Sequence, residues 1–171
     1  MIIEILSHTP RWVFALFFGL IYLGYTQSKA RAVSATRLVI IPVAMLGLSF
    51  SGAYTTFNAS VLALGFWFGA FVLGAATALS FVSVKRVSYS TETQMFSLPG
   101  SWLPLSLMMA IFFTKYAVGM LLAQHPELLA QTRFFAIASM AYGFFSGIFL
   151  GRMLKIMNVR GKQAMRSTLA A

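Results

Sequence analysis

Cysteine and aspartate are absent from this chain of 171 residues, and glutamate occurs only at Glu4, Glu92 and Glu127. Without a thiol there can be no disulfide, thiolate nucleophile, Cys-ligated zinc or Cys-ligated iron–sulfur cluster. Three scattered carboxylates supply no intramembrane acid pair. A Gly-rich phosphate loop, a GxSxG elbow and an HExxH helix are also missing, so an enzyme reading has no residues to rest on and no cofactor is expected. Charge of either sign is sparse, at 9% of residues against about 25% in an average soluble domain.

Apolar side chains take the place of what is missing. Hydrophobic residues make up 59% of the chain, Phe alone occurs 17 times, and the mean hydropathy is +0.82. A soluble globule of this size would be left with large exposed apolar patches, so lipid must be the solvent. The net charge of +10 would suggest nucleic acid in a soluble protein. Here the cations interrupt long uncharged runs at intervals, the pattern of loops between membrane spans, and no nucleic-acid partner is expected.

Those uncharged runs predict an all-α membrane protein, a single domain with a bundle of five transmembrane helices. The spans fall at about 12–28, 38–54, 60–84, 102–123 and 134–152, followed by a basic tail over 153–171. Met1 to Pro10 carries Glu4 and no cation before Arg11, unlike the basic n-region of a cleaved signal, so the first span is expected to stay. Leu38 to Val84 holds no charge at all, and as one helix would be about 70 Å long. It must fold back, and the small and hydroxylated residues from Gly52 to Ser60 are the expected turn. The fourth span opens on Pro99-Gly100, with Ser101 as its N-cap and Pro104 in its first turn.

Alternate loops of a five-span chain lie on opposite sides. One side collects Lys29, Arg31, Arg37, Lys85, Arg86, Arg152, Lys155, Arg160, Lys162 and Arg166; the other has Arg11 and Arg133. The positive-inside rule therefore puts the C-terminus in the cytoplasm and the N-terminus outside, in a multi-pass membrane protein. The tail mixes cations with Met, Leu, Ile and Val, which would let it meet anionic headgroups. Its plainer role is to determine topology. In the long cytoplasmic loop, Val87, Tyr89 and Thr91 alternate as a short hairpin would.

Lys115 is the thirteenth cation and lies inside span four, followed by Tyr116. An ammonium at that depth has no acid to pair with, so it either meets an anionic ligand or snorkels toward the outer interface, and snorkelling is the preferred reading. Ser139, Gly143, Gly147 and Gly151 form a small-residue stripe on span five, and Gly65, Gly69, Ala70, Gly74 and Ala78 offer close approach on span three. Packing within one subunit is the ordinary use of such stripes; a homo-oligomer or a partner membrane protein is the sharper one. Glu4 with His8, and His125 with Glu127, are possible metal ligands without a known fingerprint, and no metal is expected. TRLVIIPVAMLG from Thr36 and TRFFAIASMAYG from Thr132 share residues at an inverted offset, a faint hint of an inverted repeat.

The segment PGSWLPLSLMMAIFFTKYAVG, carrying Pro99, Gly100, Ser101, Trp102 and Pro104 and then Lys115-Tyr116, resembles a family of small bacterial inner-membrane proteins known only as a domain of unknown function. The resemblance implies no activity and marks Trp102, Pro104 and Lys115 as the residues to alter first. The function expected from the residues is a small carrier or accessory subunit acting on an anionic solute or lipid through Lys115. The alternative is a structural or assembly protein that packs with a partner through the glycine stripes.

Overall fold

A computed structural model describes residues 10–58 and 60–169. Helix α1 spans Arg11–Ser28 and strand β1 Arg31–Ser34, then come α2 (Ala35–Thr56), α3 (Val61–Phe81), β2 (Ser88–Ser90), β3 (Met95–Leu98), α4 (Leu103–Gln124), a short 3-10 helix (Pro126–Ala130) and α5 (Thr132–Leu169). Four of the five helices, α2 to α5, are long and apolar enough to cross a membrane. The fifth, α1, has 18 residues and gives its ends to Arg11 and to Thr26, Gln27 and Ser28. Its C-terminal hydroxyls turn back on the helix, Thr26 donating to the Leu23 carbonyl and Ser28 to that of Tyr25. Lys29 then leaves in an extended conformation.

Local chemistry sets most other boundaries. The Ser34 hydroxyl accepts from the Arg37 N–H and caps α2, whose Pro42 removes the donor that the Leu38 carbonyl would otherwise have. The α2–α3 turn is tighter than the span Gly52 to Ser60. Helix α2 runs on to Thr56, because Gly52 and Ala53 are buried against the bundle, and Asn58 takes the left-handed conformation (φ 47°) that ends it. At the start of α4, Trp102 and not Ser101 occupies the N-cap, although the Ser101 hydroxyl still accepts from the Leu103 N–H at 3.3 Å.

Helices α3 and α5 are the most tightly joined pair. A Cβ built on Gly143, Gly147 or Gly151 would run into the carbonyl oxygen of Trp67, Phe71 or Ala75 in turn, and one on Gly74 into that of Phe144. Both series ascend together, so the two helices run parallel with backbone against backbone. Helix α1 packs antiparallel on α4, with Phe17 beside Phe112 and Gly24 under the side chain of Leu105. Facing the surroundings are Phe18, Val61, Leu62, Phe68, Val72, Leu73 and Ile137, a flank with no polar side chain to offer water.

The all-α expectation omits a small sheet. Strand β3 is central, pairing antiparallel with β1 (Arg31 opposite Leu98) and with β2 (Tyr89 opposite Phe96). The hairpin expected around Val87, Tyr89 and Thr91 supplies two strands, and β1 comes from the loop after α1. The loops after α1 and α3 therefore meet at one end, here called the sheet end. Val33, Phe96 and Leu98 bury themselves there with Ile156 of α5. The residues expected as a basic tail after the fifth span continue the helix as far as Leu169, and Ile156 fastens that extension to the sheet. At about 1.5 Å per residue, the 38 residues of α5 reach about 57 Å, well beyond a hydrocarbon core of about 30 Å. Lys155 donates to the Leu79 carbonyl at 2.6 Å, and Arg160 lies over the Tyr89 ring, 5.3 Å from its centroid.

Candidate functional site

Lys115 sits on the face of α4 that also carries Pro104, Met108, Ile111 and Val118, all buried in the bundle. Spacings of three, four and seven put these positions on one stripe, so Lys115 points at its neighbours and not at lipid. Its ammonium comes to 3.7 Å from where a Gly52 Cβ would stand, while the ring of Tyr142 reaches 3.4 Å from the same point. Three helices thus converge where α2 has no side chain. An alanine at 52 would be in ordinary contact with both groups, and only a longer side chain would compete with them for the space. Lys115 is half-buried, and among the described residues nothing accepts a hydrogen bond from it.

A polar relay adjoins this junction. The indole of Trp67 donates to the Ser49 hydroxyl at 3.0 Å, and Ser49 donates to the Tyr142 carbonyl at 2.8 Å. Ser146 donates to the same carbonyl, also at 2.8 Å. The relay ties α3, α2 and α5 together through groups that hydrocarbon could not satisfy. The Tyr142 hydroxyl and the Ser139 hydroxyl are buried without a partner among the described residues. The only carboxylates there, Glu92 and Glu127, lie in the β2–β3 turn and the 3-10 helix, outside the bundle.

The other candidates separate. Tyr116 stacks on Phe112 one turn earlier, with the rings 7° from parallel. Gly143, Gly147 and Gly151 face α3 of the same chain, whereas Gly65 and Gly69 have no atom within 4 Å of a built Cβ. His125 and Glu127 form an exposed pair, Nδ1 to Oε1 at 3.0 Å. A backbone hydrogen bond and then the His125 ring hold the Glu127 carboxyl below its ordinary range. Glu4 and His8 lie outside the described residues. The span-four entry docks on the end of α1: the Ser101 N–H donates to the Gln27 carbonyl at 3.1 Å, and Gly100 meets the Ser28 carbonyl so closely that no side chain would fit. Trp12 and Trp102 are 62% and 60% exposed at opposite ends of the α1–α4 pair, where an aromatic belt belongs.

Sequence reasoning missed a pocket at the sheet end. Gln27, Arg31, Arg37 and Arg152 line it, with Pro42, Pro99 and Pro104 among its apolar walls. These cations read as topology determinants because they belong to three different segments, and only the fold brings them together. No pattern within the four residues of β1 announced it; only the fold puts Arg31 on the inward face with buried Val33.

The chain belongs to the family described as "Family of unknown function (DUF6622)", whose model matches residues 1–166. No curated protein and no solved structure matches it.

Proposed function

We propose that this chain is a five-span protein of the bacterial inner membrane, with its N-terminus outside and the sheet end in the cytoplasm, and that it acts as a small carrier or accessory subunit for an anionic solute or lipid through Lys115. The bundle-facing position of Lys115, between Gly52 and Tyr142 and away from the described carboxylates Glu92 and Glu127, is the observation that carries this reading. Snorkelling, the preferred reading from the residues alone, competes with this one because Lys115 is half-exposed; its place beside Gly52 and Tyr142 supports a role inside the bundle. An ammonium held there without a counter-ion attracts any anion that reaches it. The orientation is supported by the cations gathered at the sheet end, and the first span by the antiparallel docking of α1 on α4.

The test is an anion-jump current measured on proteoliposomes with chloride, phosphate and short carboxylates. Wild-type protein should give a current with at least one of them, Lys115→Arg should retain it and Lys115→Met should lose it while still inserting. A Lys115→Met current equal to wild type, or a wild type as silent as empty liposomes, overturns the proposal.

The assembly reading keeps one supporting observation, the open Gly65 and Gly69 stripe beside exposed Phe68 and Val72. In that case Gly69→Leu should abolish a complex recovered in mild detergent. Gly147→Leu cannot test it, because that glycine is occupied by α3.

A further inference from the structure

At the sheet end, three arginines line one pocket, and among the described residues no carboxylate lines it. Arg31 comes from the inward face of β1, Arg37 from the first turn of α2 and Arg152 from α5. Arg31 and Arg152 are half-buried and close enough to repel each other. Unlike a lysine, an arginine cannot shed its charge to relieve such crowding. The described carboxylates, Glu92 in the β2–β3 turn and Glu127 in the 3-10 helix, do not line the pocket.

A second observation points into the same space. Gln27 lines the pocket and is 7% exposed, yet its Nε2 has no acceptor among the described residues. A buried amide left without a partner is costly, and an acceptor bound in the pocket would recover that cost. The pocket is a small cavity of about 30 Å³ that opens to solvent, so a bound group would sit partly in its mouth. The N-terminus of α2 adds its positive partial charge at that level.

We propose that this pocket is a phosphate-binding site, in which Arg31, Arg37 and Arg152 neutralise a phosphate-bearing ligand and the Gln27 carboxamide donates to one of its oxygens. A phosphate monoester carries about −1.5 to −2 charges and three acceptor oxygens, which match several guanidinium forks better than a single carboxylate would. A soluble phosphate offers this in full, whereas the headgroup of a phospholipid in the adjoining leaflet is a diester that offers the same guanidinium forks one negative charge and two free oxygens. The site is separate from the Lys115 junction and stands whether or not Lys115 meets an anion.

The test uses the full chain, purified in detergent and stripped of lipid, with inorganic phosphate as one probe and phosphatidylglycerol against a phosphatidylcholine background as the other. Binding is read from the rise in melting temperature and from retention of lipid in native mass spectrometry. Wild-type protein should respond to at least one probe. Arg31→Gln, Arg37→Gln and Arg152→Gln should each weaken that response at least about tenfold, a fold-change set by losing one charge-assisted contact. Lys85→Gln removes the same charge at the same end but outside the pocket, and should stay within about twofold of wild type. A response to inorganic phosphate assigns a soluble ligand; a response to phosphatidylglycerol alone assigns a headgroup. Silence to both probes, equal retention of phosphatidylcholine, or an equal loss in Lys85→Gln overturns the proposal. Arg152→Gln without ligand should also melt no lower than wild type, because it removes a repulsion. A lower melting point combined with unchanged binding would make Arg152 a structural group and overturn its assignment.

Discussion

In the half of the bundle toward His125, Trp67, Ser49 and Ser146 spend their donors on one another and on the Tyr142 carbonyl, and glycines on α5 bring its backbone against that of α3. At the sheet end, Gln27 and three arginines face a cavity beside a small sheet, although glycine still brings backbones together around it, Gly151 against Ala75 and Gly100 against Ser28. Both regions carry polar groups at depths where they are costly. The closed half satisfies most of its groups with its own carbonyls and hydroxyls and has little space left over. The open end has donors in excess and acceptors in deficit, the condition under which a bound anion stabilises a fold.

The contrast can be broken first at the glycine contact. Gly143→Leu drives a side chain into the Trp67 carbonyl and should eliminate monodisperse protein in fluorescence-detected size exclusion, while Gly65→Leu on the open face of α3 should elute as wild type. Equal behaviour of the two variants would mean that the close approach does not hold α3 and α5 together. Next in size is Ile156→Ala, which empties the contact between α5 and the sheet and should cost about 2–4 kcal/mol. Hydrogen exchange should then accelerate at β3 amides and not in α3; uniform acceleration would show that the sheet end is no separate region.

Ser49→Ala sharpens the comparison from the closed side. It strands the Trp67 indole and takes one donor from the Tyr142 carbonyl, a loss of about 1–2 kcal/mol measurable by thermal unfolding. No change on substitution would mean water already serves these groups. The smallest effect belongs to Glu127. Its carboxyl is held below the ordinary range in the fold, so its contribution is fully present above the unfolded pKa of about 4.3 and is lost as pH falls through the folded value. Wild type should therefore lose slightly more stability than Glu127→Gln between neutral pH and strong acid, and parallel titrations would remove the effect.

Much of this was readable beforehand because uncharged runs and their interruptions are properties of the chain itself. The bounds of α3 and α4 follow from where small, polar or proline residues interrupt apolar ones, and the small residues of α5 already lay on one stripe. Gly52 shows the opposite case: as a small residue in a polar-looking stretch it signalled a turn, but its smallness serves the approach of Tyr142 and Lys115 within a continuing helix. The sheet was half visible. Val87 to Thr91 showed strand alternation, whereas the four residues of β1 are too short to show a period of their own.

Composition and charge spacing by themselves settled the apolar helical character of the chain, since hydropathy is a sum over neighbours in sequence. Which cations share a space was settled only by tertiary structure. Arg31, Arg37 and Arg152 become neighbours because β1 pairs with β3 and α5 extends past the bundle to pack on that sheet. Electrostatic interaction depends on separation in space, and only the pairing of distant segments determines that separation.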